Sequence, residues 1–246
     1  MDQQELHKEE PYASHEAISS LLLINDHQVN PFLLVEAFRE AARQNGVDLY
    51  WNTHIHSQNH RVVAVDTDKG QISYHTLINA AGAWASEIMA MITNKRLPVK
   101  PIKGQCVLSE KLPRILNSCI STNDCFITQK DNGEVLIGST TEDKGFDTSC
   151  TLDALTALSK GTVRCLPILR QTHIKRPWVG LRPGSPDGMP ILGPIAGVDG
   201  YMNACGHYET GILTYAITGE VFTALLNNQQ PPVDIKSFLL DRFGTP

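Results

Sequence analysis

The chain has 246 residues, 41% hydrophobic and 19% charged, with a formal net charge of -5 at pH 7. That length and balance suit one large or two ordinary globular domains and exclude a disordered chain. The acidic charge argues against nonspecific nucleic-acid binding, and no apolar run is long enough to cross a bilayer. Residues 1–10 lack the basic start and apolar core of a signal peptide, so the chain reads as cytoplasmic.

In chain order, four apolar residues at 21–24 predict a short strand after a polar start. Asn30 and Pro31 then open a helix: Asn30 can cap it, Pro31 suits the first helical position and Gly46 suits the end. Leu34, Ala37, Phe38 and Ala41 fall on one of its faces. Val47, Leu49 and Trp51 alternate with polar residues and predict a strand. Residues 61–65 and 71–74 flank Asp68-Lys69-Gly70 and predict a hairpin. Residues 76–80 read as a short buried strand, followed by small residues and a helix through Ile88, Met89 and Ile92. Small residues at such a turn serve either tight helix–strand packing or a cofactor lying across the strand's carboxyl end.

The middle of the chain changes character. Strands are predicted over 99–108, 125–128, 134–139 and 173–181, with one helix over 152–163 and a hairpin turn at Asp131-Asn132-Gly133. Strands joined mainly by turns imply an antiparallel sheet and a separate lobe. Residues 201–205 form a further strand, and 211–226 a helix with Leu213, Ile217, Val221 and Leu225 on one side. The six cysteines are scattered without a Cys-x-x-Cys pair, which argues against a zinc site and for free thiols. His54 and His56 share a strand face but lack a third ligand nearby in sequence, so they read as packed or solvated histidines and no metal site is expected.

The most informative stretch is 178–213. It sets Arg182 on a Gly/Pro-rich turn and ends in Gly206-His207-Tyr208-Glu209-Thr210-Gly211-Ile212-Leu213, a glycine-flanked loop opening a helix. A lone cation on such a turn suits either a carboxylate ligand or a structural salt bridge. Free backbone N–H groups and the helix dipole suit a cofactor carrying negative charge.

Four stretches in this order resemble the D-amino acid oxidase superfamily of flavoproteins, nearest its glycine oxidase, sarcosine oxidase and hydrogen cyanide synthase branch. Asn30-Pro31 with its helix resembles "D-P-x-x-L"; Leu77-Ile78-Asn79-Ala80-Ala81-Gly82-Ala83-Trp84 resembles "V-V-N-A-A-G-A-W"; Leu97-Pro98-Val99-Lys100-Pro101-Ile102-Lys103-Gly104-Gln105 resembles "L-P-V-x-P-x-R-G-Q"; the fourth is 178–213 itself. Gly138-Ser139-Thr140 and Gly145-Phe146-Asp147 add weaker support.

The resemblance implies an α/β fold with an α+β lobe: a partial, Rossmann-like FAD-binding lobe interleaved with an antiparallel β-rich substrate lobe. It divides the chain into a remnant of the substrate lobe (1–25), the second half of the FAD-binding lobe (26–97), the substrate lobe (98–182) and the C-terminal part of the FAD-binding lobe (183–246). It also implies oxidation of an amine beside a carboxylate, with a hydride passing to FAD and water hydrolysing the resulting imine. The substrate is then a small amino acid or secondary amine, whose carboxylate the match assigns to Arg182. Glu209 and Phe126 fall at the same site. Ile55 falls beside the adenine; Ala80, Ala81, Gly82 and Trp84 fall near the adenosine and pyrophosphate; Gly206, His207, Gly211, Ile212 and Leu213 fall beside the isoalloxazine ring.

This sequence departs from the family pattern in three places. It contains no Gly-x-Gly-x-x-Gly fingerprint, which implies a truncated FAD-binding lobe or a partner chain that carries the dinucleotide-binding segment. Glu209 stands where glycine oxidases carry an arginine in "G-H-Y/F-R-N-G-I", and Phe126 stands near a tyrosine position. The alternative to an oxidoreductase is a non-catalytic remnant or accessory subunit; a metal hydrolase would rest on the histidines alone.

Overall fold

Glu5 and Asp2 cap each other, the Asp2 carboxylate accepting from the Glu5 amide and the Glu5 carboxylate from the Asp2 amide. This capping box starts helix α1 (Gln3–Glu9), which periodicity alone does not reveal. The computed structural model describes residues 1–56, 64–93 and 95–244. Helix α2 (Pro31–Gln44) starts as expected, with the Asn30 side chain accepting from the amides of Phe32 and Leu33. Strands β1 (Ile55–His56), β2 (Ala64–Thr67) and β3 (Gly70–Ser73) form a small antiparallel sheet. It contains the expected hairpin, of which residues 61–63 lie outside the described residues.

Strand β4 (Leu77–Asn79) leads through a 3-10 turn at Gly82–Trp84 into helix α3 (Ala85–Thr93). Then come β5 (Lys100–Lys111), β6 (Ile120–Ser121), β7 (Phe126–Gln129), β8 (Glu134–Gly138), helix α4 (Leu152–Cys165) and β9 (Ile174–Gly184). These five strands make one antiparallel sheet in the order β6-β7-β8-β5-β9. The predicted turn at 131–133 joins β7 to β8, with Gly133 at φ 92 where a side chain would be strained. Alternation decides which face is covered. Val107, Ile127 and Val135 point to α4 and pack with Leu158, Leu166 and Leu169.

The chain closes with β10 (Ile191–Ile195), β11 (Val198–Cys205) and helix α5 (Gly211–Leu226). Their sheet has the order β10-β11-β4, with β11 antiparallel to β10 and parallel to β4. One side buries Tyr201 and Cys205 against Ala85 and Met89 of α3; the other packs Leu192 on Val221 and Phe222 of α5.

Some expectations fail. Residues 21–24 and 47–51 form no strand; Leu21, Leu23, Ile24 and Val47 are exposed, and no described sheet reaches them. An apolar run or an apolar alternation becomes a strand only with a ladder partner. Helix α2 forms but buries no residue, touching α5 through an edge-on Phe38–Tyr215 contact at 5.2 Å. In α5 the buried side is Val221, Phe222 and Ala224, while Leu213 is 85% exposed. That helix is apolar around most of its circumference, so periodicity cannot choose its face.

Candidate active site

The face of the five-stranded sheet turned away from α4 carries the chemistry. Arg182 lies within β9 and not on the turn expected from its Gly/Pro-rich neighbours, because the ladder to β5 continues to Gly184: it pairs with Ile102, Gly104 with Gly180, Cys106 with Trp178 and with Gly138, and Gly138 with Phe126. Cross-strand partners share a face, so Arg182, Cys106, Trp178 and Phe126 stand together. The guanidinium lies over Gly104: a Cβ there would stand 2.9 Å from Arg182 Cζ, closer than real contacts allow. Gly138 likewise admits Cys106 Sγ, and above Gly180 the space is open. Glycines on three adjacent strands thus give the face a low floor, which single-strand reading misses because it arises from non-local pairing.

Arg182 is 22% exposed. It donates through Nη1 to the Thr140 carbonyl at 3.3 Å and through Nη2 to Ser139 Oγ. A guanidinium has five N–H donors, so three remain for a ligand. The loop at 139–147 is itself anchored on the opposite face. The buried Lys103 ammonium pairs with Asp147 at 2.6 Å and, helped by Ser149, holds that carboxyl well below the usual range. Gln105 donates to Glu142 at 2.8 Å and accepts from the Thr151 amide at 2.8 Å.

The loop before α5 meets this face directly. Gly206 has φ 72, and the Tyr208 amide donates to the Pro183 carbonyl at 3.1 Å. Glu209 Oε1 then lies 3.9 Å from Arg182 Nε. The Thr210 hydroxyl donates back to the His207 carbonyl, so no side chain caps the first turn of α5 at Gly211, Ile212 and Leu213. His207 Nε2 lies 3.2 Å from Thr218 Oγ1, and burial lowers the pKa of the imidazole. Burial raises that of the Cys106 thiol, with Arg182 opposing.

Of the other predicted site residues, Trp84 stacks at a tilt on Phe146 with centroids 5.5 Å apart. Ala80, Ala81 and Gly82 form the turn after β4, with Gly82 at φ 55 and open space where its Cβ would stand. Ile55 sits apart, on the β1-β2-β3 sheet. The His56 side chain lies outside the described residues. All six cysteines are unpaired. Sequence reading missed the network that shapes the 80–85 turn. Asn79 donates to the Ala85 carbonyl at 2.8 Å and to Tyr201 Oη at 2.7 Å, and Tyr201 donates to Asn203 at 3.0 Å. The available signal was two asparagines set inside apolar strands, Leu77-Ile78-Asn79 and Tyr201-Met202-Asn203.

Residues 1–225 match the model of the DAO family, FAD dependent oxidoreductase. The chain belongs to this family. Its members are FAD-dependent flavoproteins, which bears out the resemblance, the fold class and the cofactor. Hydrogen cyanide synthase subunit HcnC of Pseudomonas aeruginosa is 55% identical over 99% of this chain, which covers 59% of that relative. Glycine oxidase of Pseudomonas putida is 35% identical over 71% of this chain and 47% of that protein. The crystal structure of glycine oxidase from Geobacillus kaustophilus superposes with a TM-score of 0.92 at 28% identity, covering 98% of this chain and 66% of the other. The chain therefore spans about three fifths of the length of the HcnC relative. No helix among the described residues is long and apolar enough to cross a membrane.

Proposed function

We propose that this family member acts in the FAD-dependent oxidation of a small amino acid or secondary amine, with Arg182 holding the substrate carboxylate. Arg182 carries the reading: a half-buried guanidinium, held by Ser139 and Thr140 over a glycine floor, with three N–H groups unspent. A planar fork of this kind binds a carboxylate in two places, which fixes the orientation of the α-carbon as well as its distance. FAD, when bound, would accept the hydride. This chain's residues fit that cofactor. The uncapped start of α5 leaves the Gly211, Ile212 and Leu213 amides free to stabilise the negative charge a reduced flavin would carry, and Gly82 leaves room beside the 80–85 turn. Phe126 supplies an apolar wall, and residues 98–182 serve as the substrate lobe.

The dinucleotide-binding segment is read as coming from outside these 246 residues, in the same protein or a partner chain. Two observations support this. The sequence holds no Gly-x-Gly-x-x-Gly, and α2 and the start of α5 expose Phe32, Leu33, Ile212 and Leu213 on the α/β side. The related HcnC protein is itself named as a subunit.

The test is the visible spectrum of the protein with added FAD, alone and with a separately supplied segment of the strand–Gly-x-Gly-x-x-Gly–helix type. A flavin spectrum that bleaches with glycine or sarcosine supports the reading. Arg182→Met should keep the flavin and raise KM roughly 10- to 100-fold, the loss of hydrogen bonds to a charged group. Unchanged KM removes Arg182 from the site.

A further inference from the structure

Arg182 shares its opening with an opposite charge. Glu209 is 59% exposed, and at 3.9 Å from Arg182 Nε the two are close without a direct hydrogen bond. Among the described residues no hydrogen bond engages the Glu209 carboxylate, and the guanidinium gives its bonds to Ser139 and Thr140 instead. A contact this exposed is weak as a structural ion pair. Its backbone is nevertheless held firmly. The Tyr208 amide is tied to Pro183, next to Arg182, and the Thr210 amide and hydroxyl both return to the His207 carbonyl at 2.9 Å. Tyr208 sits at φ 47, a left-handed conformation that a residue with a side chain adopts at a cost and that concentrates at functional sites.

Two opposite charges therefore share one opening at 3.9 Å, without a direct hydrogen bond between them. That arrangement complements a zwitterion, with the ligand's carboxylate on the guanidinium and its ammonium on the carboxylate. It disfavours a plain carboxylate, which would meet the like charge of Glu209. We propose that Glu209 is a specificity-determining residue that binds the substrate's protonated amine, so that with Arg182 it selects α-amino acids over simple carboxylic acids. This rests on the reading of Arg182 as the carboxylate anchor. The second charge lets the site read both ends of a molecule as small as glycine.

The experiment is an anaerobic calorimetric titration of the protein carrying pre-reduced FAD, which binds but cannot oxidise the ligand, with glycine and, separately, with acetate. The variants are Glu209→Gln, Glu209→Asp and Arg182→Met. Glu209→Gln should weaken glycine roughly 10-fold while acetate tightens by about 3-fold, as expected when a charged partner is removed. Glu209→Asp should keep part of the preference for glycine. A residue with only a structural role would move both ligands in the same direction, so an unchanged glycine-to-acetate ratio in Glu209→Gln overturns the assignment. Arg182→Met should weaken both ligands roughly 10- to 100-fold. If acetate binding survives that change unweakened, the carboxylate anchor lies elsewhere, and the failure belongs to the Arg182 reading beneath the proposal.

Discussion

The five-stranded sheet has a helix on one side and the three-stranded β10-β11-β4 sheet has helices on both, yet they treat their apolar surface differently. Beneath the first, α4 closes a core in which Ile127, Val135 and Leu166 are fully buried. Around the second, α3 and part of α5 cover the sheet, but α2 buries nothing and the first turn of α5 stands open. Among the described residues β4 pairs on one edge only. An amphipathic pattern reports that a face is meant to be covered; whether a layer is present to cover it is a separate fact. On the proposed reading, the exposed side of α2 and α5 is the face on which the dinucleotide-binding segment would pack.

The sharpest way to break this contrast is to truncate matched leucines. Leu158→Ala in the closed core should cost about 3 kcal/mol, read as a lower urea midpoint, because a buried cavity remains. Leu213→Ala should change the stability of the chain alone by less than about 0.5 kcal/mol. Equal losses would show that the start of α5 is already covered. Tyr201→Phe probes the finished side of the α/β half. It leaves Asn79 and Asn203 without their shared hydroxyl and should cost about 2 kcal/mol, measured by thermal unfolding. A neutral result would mean that the asparagines re-pair.

A smaller effect concerns the tie between the loop before β10 and the C-terminal segment. Arg242 grips Asp187 through Nε at 2.7 Å and Nη2 at 3.1 Å, and holds that carboxyl down at about 2. The stabilisation is therefore present above the ordinary carboxylate value near 3.8 and is lost as pH falls towards about 2. Asp187→Asn should cost about 1 kcal/mol at neutral pH and flatten the stability profile in that acid window. The smallest effect is at His207, whose pKa burial depresses. Its contribution is present above the ordinary histidine value of 6.5 and declines as pH falls below it. His207→Gln should remove that part of the slope, and an unaltered slope would place the titration elsewhere.

Much of this was legible in local chemistry. Asn30-Pro31, Asp131-Asn132-Gly133 and Gly211 mark element boundaries because caps and turns depend on neighbouring residues alone. β10 was missed because Pro190, Gly193 and Pro194 interrupt its alternation, although it pairs with β11 almost throughout. The strands expected at 21–24 and 47–51 failed for the opposite reason, a sound pattern without a partner. At the site, Arg182 and the loop before α5 stood out as a cation and a glycine-flanked turn. Ser139 as its partner and the floor of Gly104, Gly138 and Gly180 did not, since strand register makes them neighbours.

One hydrogen bond has a wider reach than its length suggests. The Tyr208 amide on the Pro183 carbonyl ties the open end of α5 to the strand that carries Arg182. A segment packed on that helix end would, through this bond, steady the Glu209 loop against the guanidinium, and a ligand bridging those two charges would steady the helix end in return. Such coupling is reciprocal by thermodynamic necessity. On the proposed reading, assembly and substrate capture would then be two readings of one equilibrium, and a saturating amino acid should tighten the binding of the segment that packs there.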